Sequence, residues 1–424
     1  MNRIKKKIVP VPILTVPAGD FERLKYAIYY GADAVYLGGK DYSLRTRAEN
    51  FELDEIKEAV LYTHDKGKKI YIAVNIFAQN KDFERLPFYL KSLNEFQVDA
   101  VIVSDPGILH FIKKEVPDLN VHLSTQANNT NYMSALFWQE YGIKRIVLAR
   151  ELNINEIKEI VDRCPGMKFE VFVHGAVCIS YSGRCFLSAY LIGRDANKGD
   201  CAHPCRWNYA LIEEKERPGQ YFHLEENDKG SMIFNSKDLC LLKNIPELID
   251  AGVHSFKIEG RVKTLYYVAS VARLYRMAID KYMKSPTDYK YDERWDQELA
   301  KVNNRGYTEG FFHDQPTSDD YKYKQGTAPL KGRSPSLQFF LGQILNKKSG
   351  NIISVKLKNT VRIDDTIEIM MPDLDKDKSV VVKRIIKDGI PCAQANASEE
   401  VDIEIDPGID ILDGALLRKK SGAV

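Results

Sequence analysis

The 424-residue sequence predicts an α/β protein built on a (β/α)8 barrel of the TIM type, over residues 1–315. Eight short apolar runs with strand character alternate with segments of helical periodicity. Parallel strands need such crossovers, and eight strand–helix units are the number that closes a barrel. An open, doubly wound sheet is the alternative, because periodicity alone does not separate the two arrangements.

Both kinds of element can be placed along the chain. The helical segments are amphipathic, as in Asp20–Tyr30, where Asp20 is positioned to cap the helix and Leu24 and Ala27 share one face. The predicted strands are Ile13–Val16, Ala34–Leu37, Lys69–Asn75, Ala100–Val103, Val121–Ser124, Arg145–Leu148, Phe169–Val173 and Ser255–Ile258.

Polar residues stand at the ends of several predicted strands, and in a barrel these ends meet on the catalytic face. They include Asn75, Ser124, Gln126, Arg150, Glu151, His174, Glu259 and Arg261. The interval between the seventh and eighth strands is the longest and holds most of the cysteines. We therefore expect a Cys-rich insertion after strand 7, over about residues 176–250, on that face of the barrel.

The remainder of the chain predicts a second, smaller domain. Residues 316–336 are polar and rich in Lys, Asp, Gly and Pro, a composition typical of a linker. Residues 337–424 contain short runs of apolar residues separated by turn residues. This pattern predicts a small C-terminal β-barrel domain.

The net charge and the hydropathy of the sequence limit the classes of protein that it can represent. Lys and Arg number 61 against 59 Asp and Glu, so the net charge of +2 neither favours nor excludes a polyanionic partner. No apolar run reaches the roughly 18 residues of a membrane helix, and the apolar run near the N-terminus is short and broken by proline. We expect a soluble, cytoplasmic protein with no membrane association.

Five of the 7 cysteines fall in one region and follow the spacing C-x6-C-x15-C-x3-C-x34-C. They are Cys178, Cys185, Cys201, Cys205 and Cys240. In a reducing compartment, gathered thiols hold a metal or an iron–sulfur cluster more often than they form disulfides. Structural zinc favours closely spaced pairs, which only Cys201 and Cys205 approach. Zinc and unligated thiols remain the alternatives, and Cys240 could be a small apolar residue in a helix.

Four segments of the sequence resemble the collagenase-like peptidase family U-32. The longest is Phe172-Val-His-Gly-Ala-Val-Cys-Ile-Ser-Tyr-Ser-Gly-Arg-Cys185, which is similar to the family signature. The others are Gly199-Asp-Cys-Ala-His-Pro-Cys-Arg206, Lys257-Ile-Glu-Gly-Arg-Val-Lys263 and Asn304-Arg-Gly-Tyr-Thr-Glu-Gly-Phe311. The resemblance extends over nearly the whole chain.

The resemblance implies an enzyme that hydroxylates without O₂. Members of this group act on ubiquinone precursors, on a cytidine of ribosomal RNA, or on the wobble uridine of tRNA with prephenate as co-substrate. Length and the C-terminal domain are most similar to the tRNA branch, which implies a tRNA-modifying hydroxylase that forms 5-hydroxyuridine. A partner protein of the same family is a further expectation. One departure is Ile13, where members often have glutamate.

The family's [4Fe–4S] cluster is held by four cysteines. Matching residue by residue implies Cys178, Cys185, Cys201 and Cys240 as its ligands, with Cys205 as the alternative ligand. Spacing alone does not decide which four of the five thiols bind.

Other residues are candidates for catalysis and substrate binding. A dicarboxylate such as prephenate needs guanidinium or ammonium partners. The candidate catalytic residues are His174, Glu259 and Arg261, and the candidate substrate-binding residues are Arg150, Lys257, Tyr181 and Trp207. Each has a structural alternative: the cations could pair with Glu151 and Glu259 in an ion network, the aromatic side chains could serve packing, and His174 could be a hydrogen-bonded structural residue. Basic runs such as Lys383-Arg384 and Arg418-Lys-Lys420 are candidate RNA contacts, with solvated loops as the alternative.

Two other classes of function remain open. A peptidase is implied by the family name, but the sequence lacks the H-E-x-x-H and G-x-S-x-G motifs. A dyad of His174 with Cys178 or Cys185 is conceivable, although a cysteine bound to a cluster cannot also be the nucleophile. A redox sensor without catalysis is the third class, which the many polar strand ends disfavour.

Overall fold

The computed structural model describes residues 10–44, 49–178, 180–204, 225–227, 230–232, 237–313, 338–348, 351–406, 408, 411 and 414–420. The strands of the first domain are β1 (Ile13–Pro17), β2 (Ala34–Gly38), β3 (Lys69–Val74), β4 (Ala100–Val103), β5 (Val121–Leu123), β6 (Arg145–Val147), β7 (Lys168–Ala176), β8 (Glu225–Asn227), β9 (Gly230–Met232), β10 (Asp238–Cys240), β11 (Ser255–Ile258) and β12 (Tyr307–Thr308). Its helices are α1 (Phe21–Tyr29), α2 (Leu53–Asp65), α3 (Leu86–Glu95), α4 (Pro106–Glu115), α5 (Tyr132–Glu140), α6 (Ile154–Arg163), α7 (Leu187–Ile192), α8 (Ile245–Asp250), α9 (Leu265–Lys284) and α10 (Arg294–Ala300).

The first domain is a closed barrel of parallel strands. Strands β1 to β7 pair in chain order, and β11 pairs in parallel with both β1 and β7. Ser255 is opposite Ile13 on one side and Glu170 on the other. This double pairing closes the sheet, so the predicted (β/α)8 barrel is confirmed and the open sheet is excluded. All eight predicted strands are barrel strands.

The barrel strands form because their residues are buried on both faces. Every residue of β2 and of β4 is buried, which is the pattern of parallel strands covered by helices. The helices begin at polar caps: Asp20 accepts a hydrogen bond from the amide of Arg23, and Thr264 accepts one from the amide of Tyr267. None of the helices in the described part of the chain is both long and apolar enough to cross a membrane.

The cysteine-bearing insertion follows β7. It contains the short turn Tyr181–Gly183 and helix α7, and its strand β10 pairs antiparallel with the end of β7. Cys240 therefore lies in a strand, opposite His174, and not in a helix as the sequence allowed. The last part of the predicted insertion, α8, is a barrel helix with Leu248 buried.

The second domain is antiparallel. Its strands are β13 (Gln338–Lys347), β14 (Ile352–Leu357), β15 (Val361–Arg362), β16 (Thr366–Met370), β17 (Lys378–Val381), β18 (Arg384–Lys387), β19 (Ile390–Cys392), β20 (Gln394–Ala395), β21 (Glu400–Glu404) and β22 (Leu416–Lys420). Eight of them form one sheet in the order β17-β16-β22-β13-β14-β21-β18-β19, curved as a half-barrel around its own apolar core. The predicted linker, residues 316–336, lies outside the described residues.

A buried ion network joins the two domains. Arg418 of the second domain is fully buried and donates to Glu298 of α10 at 2.7 Å and to Glu368 at 2.8 Å. Arg273 of α9, also fully buried, donates to Asp377 at 2.9 Å. The prediction that Arg418 contacts RNA is therefore wrong: it is a structural residue of the domain interface.

Candidate active site

The carboxyl ends of the barrel strands surround a cavity of about 50 Å³, here called the barrel cavity. Its lining residues are Tyr36, Leu44, Ala73, Asn75, Ile102, Ser124, Thr125, Gln126, Val147, Arg150, Phe172, Lys257, Glu259 and Arg261. The predicted catalytic residues Glu259 and Arg261 and the predicted substrate-binding residues Arg150 and Lys257 are thus brought together. Three cations around one small cavity favour an anionic ligand.

Lys257 is held by a buried carboxylate below the cavity. Its ammonium group donates to Glu170 at 2.8 Å, and Ser255 and Thr15 donate to the same carboxylate at 2.6 and 3.1 Å. Burial alone would raise the pKa of Glu170, but Lys257 and Arg145 outweigh it and hold that pKa at about 2. Lys257 is therefore part of a structural ion pair while it lines the cavity, but its partner is Glu170 and not the predicted Glu151 or Glu259.

Arg150 is engaged less fully than Lys257 by other residues of the protein. One terminal nitrogen donates to the carbonyl of Ala176 at 3.2 Å, and the guanidinium lies 4.2 Å from the centre of the Phe172 ring. Its Nε is buried and has no hydrogen-bond partner among the described residues. The stacked plane and the unused N–H group make Arg150 suited to receive a carboxylate.

Arg261 reaches the cavity because glycine lies beside it. A β-carbon on Gly38 would collide with the guanidinium of Arg261, and one on Gly19 would collide with its carbonyl. Arg261 is buried, with 4% of its surface exposed. The two glycines of the first two strand–helix units therefore make room for a cation at the barrel mouth.

A second cavity, of about 90 Å³, lies in the insertion and is here called the thiol cavity. Its lining residues are Gln126, Ala176, Cys178, Ser180, Gly183, Cys185, Leu187, Ser188, Ala196, Cys201, His203, Pro204, Glu259, Gly260, Val262 and Lys263. Gln126 and Glu259 line both cavities, so the two spaces meet at these residues.

Three of the predicted ligands, Cys178, Cys185 and Cys201, line the thiol cavity. Two of their sulfurs accept backbone hydrogen bonds: the amide of Leu187 donates to Cys185 Sγ, and that of His203 to Cys201 Sγ, both at 3.4 Å. Within the described ranges, no three His, Cys, Asp or Glu side chains are arranged to hold a metal ion.

The other two cysteines differ in position. Cys240 does not line the thiol cavity; its sulfur lies 3.9 Å from the hydroxyl of Tyr275, and burial raises the pKa of the thiol to about 11. Cys205 lies outside the described residues, directly after Pro204, which lines the cavity.

His174 lines neither cavity. The pairing of β7 with β11 shifts by one residue between Phe172 and His174, so His174 is opposite Ile258. This bulge directs the imidazole to the helical layer, where it contacts Tyr275 at 3.3 Å and where burial lowers its pKa to about 3. His174 is therefore neutral and packed among aromatic rings, away from the barrel mouth.

The predicted stacking residues are only partly described. Tyr181 is 53% exposed and lines neither cavity. Its neighbour Ser182 has a left-handed backbone (φ 43°) and donates from both its amide and its hydroxyl to Glu151. Trp207 lies outside the described residues.

The sequence profile of peptidase family U32 matches residues 19–322. The chain belongs to this family. Among its relatives, the tRNA hydroxylation protein P1 of Bacillus subtilis is 38% identical over 375 residues, or 88% of this chain and 86% of that protein. A 23S rRNA 5-hydroxycytidine synthase of Escherichia coli is 38% identical over 299 residues, which cover 70% of this chain and 42% of that protein. A collagenase of Porphyromonas gingivalis is 33% identical over 330 residues, 75% of this chain and 78% of that protein.

The segments that resemble the U32 family converge on the two cavities. The segment 257–263 supplies Lys257, Glu259 and Arg261 to the barrel cavity, and the segments 172–185 and 199–206 supply the three thiols. The fourth segment, 304–311, lines neither cavity. Its Arg305 forms an ion pair with the buried Asp238 of β10.

Asn75, Ser124 and Gln126 are lining residues that the sequence did not single out beyond their positions at strand ends. Their place after barrel strands was the available signal. The hydrogen bond from Asn75 to Gln126 joins two different strand–helix units, which no local pattern reveals.

Proposed function

We propose that this chain hydroxylates C5 of the wobble uridine of tRNA without O₂, with an iron–sulfur cluster and prephenate as co-substrate. The observation that carries the proposal is the junction of a cationic cavity with a thiol-lined cavity at Gln126 and Glu259. One space suits a small dianion and the other suits a sulfur-bound redox centre. Relatives named for tRNA and rRNA hydroxylation support a nucleic acid as the substrate.

The barrel cavity fits prephenate through its cations. Prephenate carries two carboxylates, and Arg150 and Arg261 are the guanidinium groups at the cavity. Lys257 is already paired with Glu170, so we propose that it adds positive electrostatic potential to the cavity and does not bind a carboxylate of the ligand directly. Arg150, whose Nε has no partner in the described part of the chain, would form the more specific contact.

The thiol cavity fits a cluster through the chemistry of its donors. Cys178, Cys185 and Cys201 line it, and backbone N–H groups donate to two of these sulfurs, as they do around thiolate ligands. The fourth ligand would be Cys205 or Cys240. The family resemblance implies Cys240, which does not line this cavity, with Cys205 as the alternative. Transfer of the prephenate hydroxyl group to C5, with loss of CO₂ as the prephenate ring becomes aromatic, leaves the C5 proton and two electrons. A bound [4Fe–4S] cluster would pass these electrons one at a time to an external one-electron acceptor.

Glu259 is placed to handle a proton. It lines both cavities, and the hydroxyl of Tyr36 donates to its Oε2 at 3.3 Å. Exchange of the C5 hydrogen for a hydroxyl group releases a proton, and a carboxylate at the junction can accept it. His174, whose neutral imidazole lines neither cavity, has no part in this proposal.

The share of each relative that the alignment covers favours tRNA over rRNA as the substrate. The alignment spans 86% of the tRNA hydroxylation protein P1 but 42% of the rRNA 5-hydroxycytidine synthase. An RNA base must leave its stack before a buried group can reach it, and an open barrel mouth accommodates such a base. The exposed ring of Tyr181 stands in the insertion and is available to stack on it.

Mass spectrometry of tRNA nucleosides tests this function. A strain that lacks the gene, and every paralogue of it, should lose 5-hydroxyuridine and its derivatives, and the wild-type gene should restore them. Restoration should fail with Arg150→Met. Unchanged 5-hydroxyuridine-type nucleosides in the strain without the gene would reject the proposal.

A peptidase activity is the second candidate, because one relative is named a collagenase. The predicted dyad of His174 with Cys178 or Cys185 does not form: His174 Nδ1 meets Tyr275, and its Nε2 has no partner in the described chain. Cleavage of a collagen peptide by anaerobically purified protein, abolished in Cys178→Ala, would restore this candidate.

A further inference from the structure

The side chain of Gln126 is held in one orientation by a chain of hydrogen bonds that begins at a backbone amide. The amide of Leu44 donates to Asn75 Oδ1 at 3.2 Å. A backbone amide can only donate, so the other end of the Asn75 side chain is its NH₂ group. That group donates to Gln126 Oε1 at 2.7 Å. The contact atom of Gln126 is therefore fixed as its oxygen.

Ser124 completes the fixation. Its hydroxyl accepts from the backbone amide of Gln126 at 3.4 Å and donates to Gln126 Oε1 at 2.8 Å. Two donors now occupy the side-chain oxygen, and Arg184 donates to the backbone carbonyl at 2.9 Å. Gln126 is left with a donor group, Nε2, which no hydrogen bond within the described ranges uses.

Nε2 faces the thiol cavity. The point that a β-carbon on Gly183 would occupy is 3.9 Å from Gln126 Nε2 and 4.0 Å from Cys178 Sγ. Gln126 is 7% exposed and lines both cavities. Its acceptor end is thus bound to two barrel-cavity residues, while its donor end lies on the side of Cys178.

We infer that Gln126 is a positioning residue that donates a hydrogen bond to the sulfur centre at Cys178 and so couples the barrel cavity to that centre. This role rests on the cluster proposed above. An N–H donor stabilises the extra negative charge of a reduced cluster more than that of the oxidised cluster, and hydrogen bonds to sulfur are among the determinants of cluster potential.

The coupling has a direction. A ligand that enters the barrel cavity meets Asn75 and Ser124, the two residues that orient Gln126. A carboxylate that draws either donor away from Oε1 frees the amide of Gln126 to turn. Occupancy of the barrel cavity should therefore change the reduction potential of the centre, and Gln126 should transmit that change.

The test is an anaerobic redox titration of the holoprotein, followed by electron paramagnetic resonance. Gln126→Leu keeps the size of the side chain and removes the donor, so its midpoint potential should be more negative than that of the wild type. Prephenate should shift the potential of the wild type and have a smaller effect on the variant. Asn75→Leu, which leaves Gln126 in place but removes one of its two anchors, should shift the potential in the same direction by less.

Thr125→Val is the matched control, because Thr125 lines the barrel cavity beside Gln126 but donates to the carbonyl of Leu148. It should keep the wild-type potential. Equal potentials in wild type, Gln126→Leu and Asn75→Leu, at equal iron content, would overturn the role of Gln126. A shift in Thr125→Val as large as that in Gln126→Leu would overturn it too. Wild-type protein without iron would instead overturn the proposed cluster.

Discussion

Replacement of Arg150 by methionine should weaken the binding of prephenate while the fold and the iron content stay unchanged. Methionine keeps an unbranched, apolar side chain over the Phe172 ring, which lies 4.2 Å from the guanidinium. What is removed is the positive charge, the unused Nε–H group and the hydrogen bond to the carbonyl of Ala176. Equal iron content and an unchanged fold in the variant would assign the loss of affinity to the contact with a carboxylate.

The expected magnitude follows from the partners of Arg150. One of its five N–H groups is engaged by the carbonyl of Ala176, and of the remaining four we assign Nε–H to the ligand carboxylate. A hydrogen bond to a charged group contributes about 1.5–3 kcal/mol. The dissociation constant for prephenate should therefore rise roughly 10- to 150-fold.

Isothermal titration calorimetry of the anaerobic holoprotein with prephenate measures this constant without any turnover. Arg362→Met is the matched control, since Arg362 is exposed in the second domain and its guanidinium donates to Gln394. The control should bind prephenate as the wild type does. Wild-type affinity in Arg150→Met would refute the assignment of the cationic cavity to a dianion.

Three further predictions concern stability and the cluster. Arg418→Ala should lower the free energy of unfolding by about 3–5 kcal/mol, because it leaves buried carboxylates without their cationic partner. Arg384→Ala breaks a half-exposed ion pair and should lower the free energy of unfolding by about 0–1 kcal/mol. Urea denaturation measures both losses, and equal losses would contradict the buried network. The carboxyl groups of Glu170 and Glu298 have pKa values of about 2 in the folded protein against 4.5 in the unfolded chain. Above pH 4.5 each ionised carboxylate therefore contributes on the order of 3 kcal/mol to the free energy of unfolding, and this contribution is lost as the pH falls toward 2. A free energy of unfolding that does not change between pH 4.5 and pH 2 would contradict both assignments. Cys178→Ala should abolish iron binding and tRNA modification together, as measured by iron content and nucleoside mass spectrometry, and modification at the wild-type level in that variant would remove the cluster from the mechanism.

The fold could be predicted from the sequence because the barrel strands are continuous runs of buried, apolar residues. The strand Ala34–Gly38 is buried at every residue, so its sequence is an uninterrupted apolar run, and its bounds agree with the predicted strand Ala34–Leu37 to within one residue. The cations of the barrel cavity were accessible for a related reason. Arg150 and Arg261 each lie three residues after the end of such a strand, and the topology of a barrel brings those ends together.

Features that depend on tertiary register were not accessible. The shift between β7 and β11 that directs His174 to the helical layer leaves no signature in the local pattern. Arg418 is followed by two lysines, as in a basic surface patch, yet the domain interface buries it against Glu298. The orientation of Gln126 depends on Asn75, which is 51 residues away in the chain.

The source of the oxygen tests the central claim most directly. Anaerobic holoprotein should be incubated with unmodified tRNA, a one-electron acceptor and prephenate that carries ¹⁸O in its hydroxyl group, and the nucleosides should be analysed by mass spectrometry. We expect 5-hydroxyuridine that contains the heavy isotope, formed in the absence of O₂. A holoprotein with a full complement of iron that forms no hydroxylated uridine, or forms it only with unlabelled oxygen, would contradict the account.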